Sequence, residues 1–194
     1  MKKLLVVDCC LRGRESRTAK LLEAFVDALG PDIEVERLVL EEEALFCLTG
    51  AHFDQRQRLL DRGELAHPRF RYAHQFAAAD LVCIAAPFWD LSFPALLKVY
   101  IENISVDGIT FTARDNRLVG LCRGTDLVFL TTRGGVYVDD PLEMGSRYLD
   151  ALHTFFGFDR YTCVAADGMD IDPVFARESL DKAMDEARAV AQKL

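Results

Sequence analysis

The sequence predicts an α/β fold in which helices cover both faces of a parallel sheet. Two observations carry this expectation. Short apolar runs alternate along the chain with stretches whose apolar residues recur at helical spacing. The chain also has 194 residues, of which 51% are hydrophobic and 28% charged, a globular composition that suits one domain with a real core.

The elements follow in order. Residues 3–8 (KLLVVD) form a short apolar run wet at its ends, as expected of a buried strand. A polar loop with Gly13 follows, and from Ser16 onward Leu21, Leu22, Phe25, Val26 and Leu29 mark a helix stopped by Gly30-Pro31. Residues 33–40 nearly alternate Ile, Val and Leu with charges, which predicts a second strand near the sheet edge. Residues 41–79 are the least legible; one or two helices and a loop over the top of the sheet are expected there. Residues 80–86 (DLVCIAA) are the clearest buried strand and end at Pro87. After an aromatic loop, Pro94 suits a first helical position, with Leu96, Leu97, Tyr100 and Ile101 on one face. Residues 126–131 (DLVFLT) predict a fourth strand, 132–140 a Gly-rich loop, 142–156 a helix, 161–166 a last strand and 173–194 a terminal amphipathic helix. No repeat, low-complexity segment or linker interrupts residues 1–194, so a single domain is expected. Five such strands usually take the flavodoxin-like, doubly wound order 2-1-3-4-5, with a switch point between strands 1 and 3 where ligands bind outside the carboxyl ends.

Composition narrows the function. With 23 Lys+Arg against 31 Asp+Glu the formal charge is −8, which argues against nucleic-acid binding. The longest apolar run, residues 81–89, is about half of what a bilayer needs, so no membrane span is expected. The run after Met1-Lys2-Lys3 breaks at Asp8 with no cleavage site, so no secretory leader is expected either. Cys9, Cys10, Cys47, Cys83, Cys122 and Cys163 form no C-x-x-C pair. They read as small, mostly buried hydrophobes in a reducing cytoplasm, with no metal site. His52, His67, His74 and His153 show no ligand spacing.

Three loops should converge at the switch point. The first carries Arg12, Arg14 and Arg17 with Ser16 and Thr18 at a helix N-terminus, where backbone N–H groups and the dipole favour an anion. The same residues also make a plain Ser N-cap with solvated arginines. The second loop, Pro87, Phe88, Trp89, Asp90, Leu91, Ser92 and Phe93, places three aromatics where a loop should be polar. It reads as a wall for a flat aromatic ligand, or as packing against a neighbouring loop or subunit. The third, Thr132, Arg133, Gly134, Gly135, Val136 and Tyr137, lets a backbone approach a ligand and offers N–H donors, or is simply a mobile turn. There is no G-x-G-x-x-G, Walker A or G-x-S-x-G motif. Cys10 before a basic loop, with Asp140-Pro141 later, resembles the low-molecular-weight tyrosine phosphatases. Cys10 to Arg17 leaves six intervening residues where that family's loop has five.

Taken together the loops resemble a family, the FMN-dependent NADH:quinone oxidoreductases of azoreductase type, in the flavodoxin-like quinone reductase group. Ala85-Ala86-Pro87-Phe88-Trp89-Asp90-Leu91, Leu97-Lys98, Tyr100 and Gly108-Ile109-Thr110-Phe111 match its A-A-P-M-Y-N-F, L-K, Y-F and G-x-T-F. Thr132-Arg133-Gly134-Gly135 matches S-R-G-G, Gly157-Phe158 and Ala166-Asp167-Gly168 match later G-F and A-E-G, and Ser16-Arg17-Thr18 matches S-Q-S. The resemblance implies a two-electron ping-pong hydride transfer from NADH or NADPH through FMN to a quinone or azo compound. It implies that Cys10, Ser16, Arg17 and Thr18 hold the FMN phosphate. Pro87, Phe88, Trp89, Asp90 and Leu91 would line the ring edge, and Thr132, Arg133, Gly134 and Gly135 the pyrimidine end. It also implies a cytoplasmic homodimer in which Phe158 reaches the partner's site and covers the substrate, with Tyr137 a further substrate contact. No side-chain acid or base is obligatory, because the flavin carries the chemistry. Asp90 stands where the family has asparagine, and a carboxylate beside the ring would lower the flavin's potential. The alternatives are an FMN-binding electron carrier without NAD(P)H turnover and a phosphatase-like enzyme using Cys10.

Overall fold

The computed structural model describes residues 1–194, the side chain of Arg14 excepted. Five parallel strands form the main sheet: β1 (Lys2–Asp8), β2 (Ile33–Val39), β3 (Leu81–Ala85), β6 (Asp126–Thr132) and β7 (Arg160–Ala166). Their spatial order is β2-β1-β3-β6-β7, which is the expected 2-1-3-4-5 once a separate hairpin is set aside. That hairpin, β4 (Phe111–Arg114) and β5 (Arg117–Gly120), was not expected. Asp115 and Asn116 turn it with φ of 51° and 60°, a left-handed pair that Asp and Asn tolerate.

Period-two alternation sends the two faces of each strand into different cores. Leu4, Val6, Cys83, Ala85, Val128 and Leu130 face α1 (Arg17–Val26) and α6 (Pro173–Ala191), which contribute Leu21, Leu22, Phe25, Ala183 and Ala187. Leu5, Val7, Val82, Ile84, Leu127 and Phe129 face the other way. There they meet α3 (Arg71–Ala78), α4 (Ala95–Ile104) and α5 (Gly145–Phe156) through Phe76, Leu97, Tyr100, Leu149 and Phe156. Burying side chains of this size contributes about 1.5–3 kcal/mol each. The edge strand β2 is largely exposed, as its charges predicted. The illegible stretch contains α2 (Gly50–Asp61) and α3. The chain leaves β1 for α1 on one face and β3 for α4 on the other, so the winding reverses between neighbouring strands β1 and β3. A crevice opens above their carboxyl ends.

Candidate cofactor-binding site

The crevice encloses about 140 Å³. One end is the start of α1. Gly13, at φ 53°, lets the loop after β1 turn back, and Ser16 caps the helix by accepting the Ala19 N–H at 3.1 Å through its Oγ. Capping uses the acceptor side of that hydroxyl and leaves its proton to donate. Thr18, 1% exposed, shares a 2.7 Å hydrogen bond with the Thr132 hydroxyl, tying α1 to the end of β6. Ser16, Arg17, Thr18 and Thr132 all line the crevice, joined by Leu11 and Arg12. The helix N-terminus and its hydroxyls therefore present donors to one spot.

The middle wall is the loop after β3. The Phe88 N–H donates to the Thr132 carbonyl at 3.0 Å, so this wall continues the β3–β6 pairing. Trp89 and Ser92 exchange main-chain bonds of 3.2 and 2.8 Å around Asp90 and Leu91, whose φ values are 49° and 67°. This is a two-residue turn with both central residues left-handed, a conformation that costs a leucine about 1–2 kcal/mol. Pro87, Phe88 and Trp89 line the crevice; Asp90 and Leu91 sit at the exposed turn tip and do not. Asp90, which the resemblance implied at the ring edge, is thus exposed and outside the crevice lining.

The far end is the glycine loop. Its carbonyls at Arg133, Gly134 and Gly135 accept the N–H groups of Met169, Asp170 and Gly168 at 2.9, 3.0 and 2.8 Å. The N–H groups of Gly134 and Gly135 have no protein acceptor among the described residues. A Cβ on Gly134 would stand 2.6 Å from Asp170 Oδ2. Gly134 lines the crevice and Gly135 follows it behind the rim.

Several site residues fall elsewhere. The Arg133 guanidinium, expected at the ligand, is 5% exposed and turns behind the loop, 3.4 Å from Glu143 and 3.3 Å from Asp167. A buried cation needs such partners, and the two buried acids supply them. Cys10, expected at the phosphate, is not in the crevice lining; its Sγ lies 3.9 Å from the Ala85 carbonyl. Burial and the neighbouring Asp8 push its thiol well up, the opposite of the thiolate that phosphatase chemistry requires. Phe158, expected to cover a partner's substrate, is 5% exposed in the core and meets Phe76 edge-on at 5.6 Å. The reason is positional: it precedes β7 and so lies at the amino ends of the strands, opposite the crevice. Tyr137 packs its ring on Phe88 at 4.6 Å and is absent from the crevice lining. Arg14 of the first loop lies outside the described side chains.

Sequence reasoning missed Met169 and Asp170, which line the crevice from the loop after β7. Gly168, at φ 76°, turns that loop back toward Gly134, and Arg17 Nη1 reaches Asp170 Oδ1 at 2.8 Å across the opening. The signal was the glycine after Ala166-Asp167, at a strand's carboxyl end but one strand away from the switch point.

The arrangement can hold an elongated ligand with an anion at one end, a flat body and hydrogen-bond acceptors at the other. A family model described as flavodoxin-like fold matches residues 2–191. The chain is 36% identical to an FMN-dependent NADH:quinone oxidoreductase of Clostridium perfringens over 206 residues, covering 100% of both proteins. It is 35% identical to one of Clostridium beijerinckii over 196 residues, covering 99% of each. An azoreductase structure from Bacillus anthracis superimposes with a TM-score of 0.88 at 29% identity, covering 100% of both chains. The chain belongs to the flavodoxin-like family and, within it, to the FMN-dependent NADH:quinone oxidoreductases.

Proposed function

We propose that the chain is an FMN-dependent NAD(P)H oxidoreductase that reduces quinones and azo compounds two electrons at a time. The observation that carries this reading is the crevice itself. It brings together a helix N-terminus with two hydroxyls, an aromatic wall and the unpartnered main-chain donor of Gly134, with that of Gly135 next in the chain, in a protein whose relatives bear that name over full length. The donor set fits FMN: Ser16, Thr18 and the start of α1 suit a phosphate, and the Gly134 and Gly135 N–H groups suit the oxygens and nitrogens of the pyrimidine ring.

FMN, when bound, supplies the electron exchange between NADH or NADPH and the acceptor. The protein's residues position and tune. Ser16, Arg17 and Thr18 fix the phosphate tail. Phe88 and Trp89 offer a flat apolar wall that orients the ring and keeps water from it. The Gly134 and Gly135 N–H groups, held by the loop after β7, stabilise negative charge gained at the pyrimidine end. No side chain in the crevice is needed as an acid or base.

We read the apolar rim beside the crevice as the face of a homodimer. Trp89, Leu91, Val136, Val138, Leu142 and Met144 are each at least 40% exposed. Met144 N–H donates to the Leu91 carbonyl at 3.0 Å, which joins two parts of this rim. Residues 1–194 are read as one domain, and the six free thiols support residence in a reducing cytoplasm.

Steady-state consumption of NADH with a benzoquinone acceptor tests the reading. Parallel double-reciprocal lines at varied acceptor are expected of alternating half-reactions. Flavin that binds yet stays oxidised under anaerobic NADH would instead indicate an electron carrier.

A further inference from the structure

Arg133 was the cation expected at the ligand, and its actual place raises the question of what a buried charge does directly behind the glycine loop. Its guanidinium lies between two carboxylates that are themselves buried, Glu143 at 3% and Asp167 at 7% exposure. The Arg133 Nε finds no partner. One cation against two carboxylates leaves the group with an excess negative charge beneath Gly134 and Gly135.

Each carboxylate has a second attachment. Asp167 Oδ2 accepts the Tyr137 N–H at 3.0 Å, so Arg133 and Asp167 close residues 133–137 into a ring. Glu143 accepts the Ser146 N–H at 2.9 Å, and also the Ser146 hydroxyl, at the first turn of α5. Met144, the residue after Glu143, donates its N–H to the Leu91 carbonyl in the aromatic turn. A continuous path therefore runs from the glycine loop through Arg133 and Glu143 to the start of α5 and on to the turn at Asp90–Leu91. Leu91 is held there in a left-handed conformation that leucine does not favour. The two opposing walls of the crevice are joined behind its floor by an ion pair.

We propose that Arg133 and Glu143 are positioning residues: their buried pair sets the separation of the aromatic and glycine walls and aims the Gly134 and Gly135 N–H groups, without touching the ligand. The proposal rests on the cofactor reading above. The guanidinium offers a separate nitrogen to each carboxylate, Nη2 toward Glu143 and Nη1 toward Asp167, at a spacing fixed by its planar fork, whereas an ammonium would have to serve both from a single point, so the residue type matters as well as the charge. The excess carboxylate also makes the floor negative, which opposes electron gain above it.

The test uses FMN titration and the midpoint potential of the bound flavin in the wild type, Glu143→Gln and Arg133→Lys, with thermal melting of the flavin-free proteins alongside. Glu143→Gln should weaken FMN binding about tenfold, the effect of taking one charged acceptor from a buried donor. It should also raise the potential, because a negative charge is removed. Arg133→Lys keeps every charge, so it should weaken binding with little change in potential. Ser146→Ala, a milder change that keeps all three charged groups, covers the case in which either variant fails to fold; it should weaken binding less and leave the potential as in the wild type. A purely structural network would lower melting temperatures alone. Unchanged FMN affinity and potential in the folded variants, with a wild type that binds FMN, would overturn the proposal. A wild type that does not bind FMN would overturn the cofactor reading itself.

Discussion

Thr18 and Thr132 show how a single hydrogen bond positions the site. Their hydroxyls are buried and 2.7 Å apart, and each has the other as its side-chain partner. Thr18→Val strands the Thr132 hydroxyl and should cost about 1 kcal/mol of stability, read from urea unfolding. If Thr18 also helps grip a phosphate, the variant should lose affinity for FMN while its affinity for riboflavin, which lacks the phosphate, stays the same. Asp126 makes a different case. Burial raises its carboxyl, but the paired 2.7 Å bonds from Arg160 and the bond from Thr125 outweigh that and hold it below its usual 3.8. A depressed carboxyl contributes its stabilisation fully above its unfolded value and loses it as pH falls through the folded one. The stability gap between wild type and Asp126→Asn should therefore be flat from neutral pH down to about 4 and close below it, as denaturant midpoints across pH would show. At this scale the sequence was legible for the placement of Ser16, Thr18, Phe88 and Gly134 in the crevice lining, which follows from the loops that carry them. It was not legible for Arg133, because its direction depends on Glu143 and Asp167 being buried beside it, a fact of tertiary packing.

Among elements, the central strands β1, β3 and β6 were readable as apolar runs and the edge strand β2 as a near alternation of apolar and charged residues, and the α1 cap because Ser16 accepts a bond three residues on. The β4–β5 hairpin escaped because its strands have four residues each and stay half exposed, leaving no apolar run to see. Its attachment is nonetheless tight. A Cβ on Gly120 would lie 2.2 Å from the Phe156 carbonyl carbon and the Gly157 nitrogen, both main-chain atoms that cannot swing aside. Gly120→Ala should therefore cost about 3 kcal/mol, the upper end for overpacking, and loosen the hairpin from α5. Hydrogen exchange over residues 111–120 would show the loosening directly. α5 begins at Gly145 rather than at the apolar Leu142: the Glu143 carboxylate reaches forward to accept the Ser146 N–H and ties that turn to Arg133. The same tie keeps residue 143 out of the helix and holds it against Arg133, behind the glycine loop.

For the whole molecule, the strand order placed the crevice before any side chain was located, since the winding must reverse between β1 and β3. The fourth contributing loop, after β7, lies outside that argument and appears only when Gly168 turns the chain. No helix is long and apolar enough to cross a membrane. The exposed apolar rim makes a prediction of its own. Sedimentation should give twice the 21.8 kDa chain mass, and Val138→Glu, at a position 69% exposed, should return the protein to a single chain without unfolding it. The account's central claim is that a phosphorylated flavin lies along the β1–β3 reversal with its phosphate at Ser16–Thr18 and its pyrimidine edge on Gly134 and Gly135. A difference electron-density map of crystals soaked in FMN tests it most directly. The account predicts flavin density against Phe88 with the phosphate at the start of α1; flavin bound elsewhere, or a crevice without it at saturating FMN, would contradict it.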